Sequence, residues 1–147
     1  MKKFTDVIIG GGILGTSLAY RLSKKNPICL IEKNTIGSGT TANSAGIIIT
    51  NHKNNIANKM AEITYNDINS FNINFSQVGT IDVKENINTK NGYIDPNDLA
   101  YYYANRAKQN GSYIIDNTKV SNIYKDKDID KVSNIYKDKD IDKDKVK

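Results

Sequence analysis

The spacing of apolar and polar positions changes period several times along the chain, and each change marks an element. Phe4 to Ile9 (FTDVII) is a short β-prone run ending in the triple glycine Gly10 to Gly12, which predicts a buried strand. From Ile13 to Lys25 the period becomes helical: Leu14, Leu18 and Leu22 fall four apart, with Gly15 and Ala19 beside them. Lys24 and Lys25 suit a helix C-terminus, and Pro27 stops it. Ile28 to Glu32 (ICLIE) predicts a second buried strand, completing a βαβ unit of the usual size, roughly thirty residues. A stretch of small and hydroxyl residues, GSGTTANSAG, follows and leads into Ile47 to Ile49.

Further on, Ile56, Met60, Ile63, Ile68 and Phe71 stand near helical spacing and predict a second helix over 56–75. Val78 to Val83 (VGTIDV) reads as a strand of another sheet. Asp95 is a good N-cap, Pro96 fits the first helical position and Asp98 the first turn, so a third helix starts here. Leu99, Tyr103 and Ala107 share its face, Gly111 ends it, and Ser112 to Val120 (SYIIDNTKV) reads as a third strand. The chain then repeats itself: Lys119 to Asp130 reads KVSNIYKDKDID, and Lys131 to Asp142 repeats it. Two copies are too few for a solenoid. Their mixed charge leaves little apolar surface to offset ordering entropy, so the second copy at least is expected to be mobile. The expectation is an α/β fold: a Rossmann-like βαβ unit with a partial parallel sheet and a flexible tail, divided into residues 1–118 and 119–147.

Composition narrows this picture. At 147 residues the chain suits one domain and is short for a two-domain enzyme. Apolar content of 38% implies a thin or local core. The net charge of +5 is spread along the chain without an Arg cluster or interleaved aromatic residues, which argues against nucleic-acid binding. One cysteine, Cys29, excludes an intrachain disulfide and a Cys-rich zinc site, and fits a reducing cytosol. Lys2, Lys3 and the uncharged run Val7 to Tyr20 imitate a secretory signal, but Asp6 and the glycines argue against one. No stretch approaches the ~20 apolar residues that span a membrane. These features predict a soluble cytoplasmic protein, with a signal peptide as the alternative.

The chemistry is concentrated near the N-terminus. Gly10-x-Gly12-x-x-Gly15 follows a predicted strand and opens a predicted helix, and Glu32 ends the next strand. That context is what the dinucleotide fingerprint requires. Gly10 permits a tight turn, Gly12 admits a pyrophosphate close to the backbone, and Gly15 lets helix and strand pack closely. Free N–H groups near Ile13 and Leu14, at the positive end of the helix dipole, would face phosphate oxygens. Glu32 would accept from ribose hydroxyls, and an acid there disfavours a 2′-phosphate, leaving FAD or NAD ahead of NADP.

The segments DVIIGGGILGTSLAYRLS, LIEKNTIGSGTTANSAGII and GYIDPNDLAYYYANRAKQNGSYIIDNTKV resemble, in that order, the FAD-dependent oxidoreductases of the D-amino-acid oxidase, sarcosine oxidase and glycine oxidase superfamily. The resemblance runs from about Phe4 to Ile123. It implies noncovalent FAD, with Asn43 where some relatives carry a flavin-linked histidine. It further implies hydroxyls from Thr40, Thr41 and Ser44 along the cofactor, close backbone approach at Gly46, Lys33 beside the adenine, and the Val120 backbone at the adenine ring. Residues 1–118 would then hold a partial FAD-binding domain and the start of a substrate-domain insertion. The sole histidine, His52, is expected in a surface loop, and no residue is assigned as catalytic. The family's chemistry is hydride transfer from a carbon bearing an amine or hydroxyl to the flavin. Family members are more than twice as long, so the resemblance implies a truncated or split product, its first strand left as an unpaired edge for a complementing chain or a second copy. A catalytically inactive dinucleotide-binding remnant or subunit, and a plain NAD-binding module, are the rival readings.

Overall fold

The computed structural model describes residues 4–71, 73–81, 87–126 and 129–137, the stretches 124–126 and 129–137 by backbone alone. In chain order its elements are β1 (Val7–Ile9), α1 (Ile13–Ser23), β2 (Cys29–Ile31), β3 (Ile47–Ile48), α2 (Asn55–Phe71), β4 (Phe75–Ser76) and β5 (Thr80–Ile81). There follow β6 (Ile87–Asn88), β7 (Gly92–Ile94), α3 (Pro96–Gln109), β8 (Tyr113–Ile115), β9 (Thr118–Asp126) and β10 (Ile129–Lys137).

β1, β2 and β8 form a parallel sheet in that order, with Ile8 opposite Leu30 and Leu30 opposite Ile114. The central strand is buried along its length: Cys29, Leu30 and Ile31 are all inaccessible, as an apolar strand covered on both faces must be. Burying each such aliphatic side chain stabilises the fold by roughly 2 kcal/mol. Cys29 is a free thiol, and burial pushes its pKa up.

α1 packs against α3. Its buried face is Thr16, Ala19 and Ser23, with Leu22 half-buried beside them, whereas Leu14 is 84% exposed and Leu18 48% exposed. Ala100, Ala104 and Ala107 of α3 join Ala19 in one core cluster with Ile28, Leu30 and Ile36. Small residues on both helices let the two backbones approach closely, and Asn110 Nδ2 donates to Ser23 Oγ (2.9 Å) to close the far end. α3 starts as its sequence predicts: the Asp95 carboxylate accepts from the Asn97 N–H (2.8 Å) and Pro96 opens the helix. Gly111, with φ +86°, turns the chain out of it.

α2 is shorter than the pattern suggested and ends at Phe71. Ile68 and Phe71 are its buried anchors, packed with Tyr103, Leu99 and Ile94. Asp67 ties three helices together, pairing with Arg21 of α1 and accepting from the Tyr103 hydroxyl of α3 (3.1 Å). Desolvation, followed by the charge and hydrogen bond of Asp67, holds the Tyr103 phenol well above its usual range.

Between β2 and β8 lie two small antiparallel sheets, β3-β7-β4 and β5-β6. The predicted strand 78–83 is represented by β5 alone, because Gly79 breaks it at φ +74°; residues 82 and 83 lie outside the described residues. Asn91 is buried and joins the two sheets: its Oδ1 accepts from the Thr50 N–H (2.8 Å) and its Nδ2 donates to Thr80 Oγ1 (2.6 Å).

The predicted third strand is also two strands. β8 stops at Ile115, Asn117 takes a left-handed conformation (φ 50°), and β9 begins at Thr118. An Asp-Asn pair accommodates that turn better than other non-glycine residues, which accounts for the break. Val120 therefore lies in β9, not at the end of the third strand. Within the repeat, β9 from the first copy pairs antiparallel with β10, placing Val120 opposite Ile135 and Ile123 opposite Val132 in the backbone register. In the backbone register Asp130 also falls opposite Lys125. Residues 138–147, the rest of the expected mobile tail, lie outside the described residues. Among the described residues no helix is long and apolar enough to cross a membrane.

Candidate functional site

The turn between β1 and α1 is anchored before any ligand is considered. The Gly10 N–H donates to the Ile31 carbonyl (2.8 Å), and Gly10 adopts φ +111°, which a side chain would strain. Gly15 passes so close to the Gly10 carbonyl that a Cβ there would lie 3.1 Å from the carbonyl carbon and nearer still to its oxygen. Helix and turn are in contact, and only glycine fits between them.

Glu32, just after β2, is the centre of the arrangement. One carboxylate oxygen accepts from the Gly11 N–H (2.6 Å) and the other from the Asn34 N–H (2.8 Å). The Glu32 carbonyl accepts from the Thr118 N–H (2.8 Å), tying the start of β9 to the same point. Gly11 is the tight glycine here, since a Cβ would fall 2.6 Å from Ile36 Cδ1 and 2.8 Å from Glu32 Cβ. The fingerprint spacing gave Gly11 and Asn34 no role; the only signal was that the glycine run is three long.

α1 has Gly12 as its N-cap, with no side-chain cap of its own. The Ile13 N–H, expected to be free, instead donates to Thr41 Oγ1 (3.0 Å). Local spacing cannot show a partner 28 residues away. Leu14 stands at the same helix end with its side chain exposed.

The turn after Glu32 folds over this helix end. The Gly37 N–H donates to the Gly11 carbonyl (2.9 Å), and Ala42, Asn43 and Ser44 donate back to Gly39, Thr40 and Thr41 in successive tight turns. Thr41 is buried, whereas Lys33, Thr40 and Ser44 are exposed. Gly46 (φ +62°) has a use within the chain: its carbonyl accepts from the Ile94 N–H (3.0 Å), and Ile94 and Pro96 occupy the space a Cβ would need. His52 is held locally, its Nε2 3.0 Å from the Ile49 carbonyl.

An open cleft of about 340 Å³ runs beside the α1 N-terminus, lined by Ile13, Ser44 to Ile48, Ile94, Pro96 and Leu99. Ile13, Ser44 and Gly46 meet there, while Val120 and Lys33 are absent from its lining. The walls from β7 and α3 are far away in sequence and were not among the predicted site residues. An apolar cleft, a helix N-terminus and a carboxylate at the adjacent strand end suit a dinucleotide with a planar ring system. The space beyond Gly10 supports that fit, as no atom lies within 4 Å of where its Cβ would be.

Comparison with known proteins agrees with this geometry. The profile described as "FAD dependent oxidoreductase" matches residues 7–84. A 4-methylaminobutanoate oxidase (formaldehyde-forming) of Paenarthrobacter nicotinovorans is 48% identical over 44 residues, which are 29% of this chain and 5% of that protein. The mitochondrial pyruvate dehydrogenase phosphatase regulatory subunit of Mus musculus is 46% identical over 57 residues, 37% of this chain and 6% of that protein. Among solved structures, glycine oxidase from Bacillus cereus ATCC 14579 superposes with a TM-score of 0.66 at 18% identity, covering 90% of this chain and 52% of that one. The chain thus spans about half of that solved relative, and its matched segments are a small part of the two curated ones. With the family profile extending over more than half of its residues, the chain belongs to the FAD-dependent oxidoreductases.

Proposed function

We propose that this chain is the dinucleotide-binding portion of an oxidoreductase that holds FAD noncovalently and acts on a small amine or amino acid. The observation that carries the reading is the joining of Gly10–Gly12, the α1 N-terminus and Glu32 by direct hydrogen bonds, with the 35–44 turn folded over them. In this reading the glycine turn and helix end hold the pyrophosphate and Glu32 the adenosine ribose. Thr40, Ser44 and Gly46 border the remainder of the cofactor, with the ring system in the cleft of Ile13, Ile48 and Leu99. Lys33 and Val120 flank the adenine end through their neighbours Glu32 and Thr118. Asn43 offers no nucleophile for a covalent flavin link. FAD, when bound, supplies the acceptor for hydride from a carbon bearing an amine or hydroxyl.

Residues 1–118 constitute a partial FAD-binding domain, with the antiparallel sheets between β2 and β8 as the beginning of a substrate-domain insertion. β1 is an edge strand among the described residues, and Val7 and Ile9 are 40% and 49% exposed on it. A complementing chain or a second copy completes the sheet at that edge. A buried free thiol fits the reducing cytoplasm.

One comparison favours a second reading, a non-catalytic subunit, because a relative bears the name of a regulatory subunit. Purification and a visible spectrum test both. A yellow protein that releases FAD on heating is expected. A colourless chain stabilised by NAD and not by FAD would overturn the flavin reading. FAD binding without flavin reduction by any amine or amino acid, even with the sheet completed, would favour the non-catalytic subunit.

A further inference from the structure

α1 begins without a cap from its own sequence, because Gly12 has no side chain to offer. The oxygen that a Ser or Asp would supply at that position comes from Thr41, whose Oγ1 accepts the Ile13 N–H at 3.0 Å. Thr41 is 7% exposed and Ile13 half-buried, so the contact is partly shielded from water, and the same oxygen lies 3.0 Å from where a Gly12 Cβ would be. Glycine at 12 and threonine at 41 therefore form a matched pair. A side chain at 12 would push the hydroxyl away, and a cap borne on residue 12 would fill the space in front of the helix.

We infer that Thr41 is a positioning residue: it is the remote N-cap of α1, and through it the 35–44 turn fixes the helix end that faces the cofactor phosphates. A hydroxyl accepts one hydrogen bond while donating another, and the proton of Thr41 has no acceptor among the described residues. Thr41 can hold the Ile13 N–H and still present a donor to an anionic oxygen. The inference rests on the FAD reading only for that second role; the cap exists without any ligand.

The test compares Thr41→Val, which keeps the shape and removes the hydroxyl, with Thr41→Ser, which keeps the hydroxyl. Three quantities are read on the full chain: thermal unfolding without FAD, hydrogen exchange of the Ile13 amide, and FAD affinity by fluorescence quenching. Loss of a cap typically costs ~1 kcal/mol, so Thr41→Val is expected to lower the folded-to-unfolded ratio about fivefold. Its Ile13 amide should exchange at the rate of an open amide and its FAD binding should weaken, while Thr41→Ser stays close to the parent in all three. Equal losses in the serine and valine variants would overturn the inference, as would weaker FAD binding with unchanged stability and Ile13 protection. If Thr41→Val does not fold, the parent and Thr41→Ser decide the matter: an unprotected Ile13 amide in either overturns it. Should no variant bind FAD, the cofactor reading fails, and the stability and exchange arms still judge the cap.

Discussion

Replacing Gly15 by alanine sets two opposing effects against each other at one atom. Gly15 lies in the first turn of α1, where alanine improves helix propensity by about 1 kcal/mol at most. Against this, the added Cβ would fall inside contact distance of the Gly10 carbonyl oxygen, 3.1 Å from its carbon and 3.4 Å from Ile8 Cγ2. The obstacle is backbone, and it cannot yield cheaply: the Gly10 N–H is bonded to Ile31, and Gly11 is clamped between Ile36 and Glu32. Overpacking a fixed site costs roughly 1–3 kcal/mol, and a clash with anchored backbone belongs at the upper end. The net expectation is a loss of about 1–2 kcal/mol, a Tm lower by roughly 3–8 °C for a chain of this size. Gly39→Ala is the control, because nothing lies within 4 Å of its Cβ position and its φ is not positive, so it should be neutral or slightly stabilising. Urea and thermal unfolding of both variants, with FAD titration, provide the assay. A Gly15→Ala chain as stable as Gly39→Ala would refute the claim that α1 and the turn are in backbone contact.

Two further predictions address other parts of the fold. Because the Tyr103 phenol is raised by burial and by Asp67, the folded state keeps its proton where the unfolded chain, with an ordinary pKa of about 10, has lost it. Its contribution is present below that pH and declines as pH rises further, so Tyr103→Phe should flatten the alkaline limb of a stability–pH profile; an unchanged limb would contradict the assignment. At the sheet edge, Ile9→Lys puts a charge on a half-exposed strand residue and should reduce self-association in light scattering with a stability change within about 1 kcal/mol. Unaltered scattering would show that β1 is not the sticky edge.

The strand–turn–helix–strand at the N-terminus was legible because its determinants are local. A glycine run, a helical period and an acid after the second strand are read within one window, and the structure assembles them in that order. The face of α1 was less legible. Periodicity marks Leu14, Leu18 and Leu22, yet closeness to α3 is set by what is small, so Thr16, Ala19 and Ser23 are the buried positions, and of the leucines only Leu22 packs on the core. The Asp116-Asn117 break was visible as a dipeptide but lost inside an apolar run. Local composition could not reveal the pairing of β9 with β10, since a pairing between strands is not written in the composition of either one.

The same distinction explains the site. Glu32 and the glycines were found because their spacing is constrained by one turn and one helix. Thr41 was found only as one hydroxyl among several, because its partner lies across the fold. Yet these long-range bonds decide how the site behaves before a ligand arrives. The Gly11 and Ile13 N–H groups, which a phosphate or ribose would otherwise find bare, are already satisfied by Glu32 and Thr41. A dinucleotide therefore meets these two N–H groups already paired and turns to the donors that remain, the Thr41 hydroxyl among them, each contact contributing a net of about 1 kcal/mol. What this internal pairing secures is a turn held in shape beforehand: the ordering entropy is spent in folding, and the ligand meets a cradle that does not have to form around it.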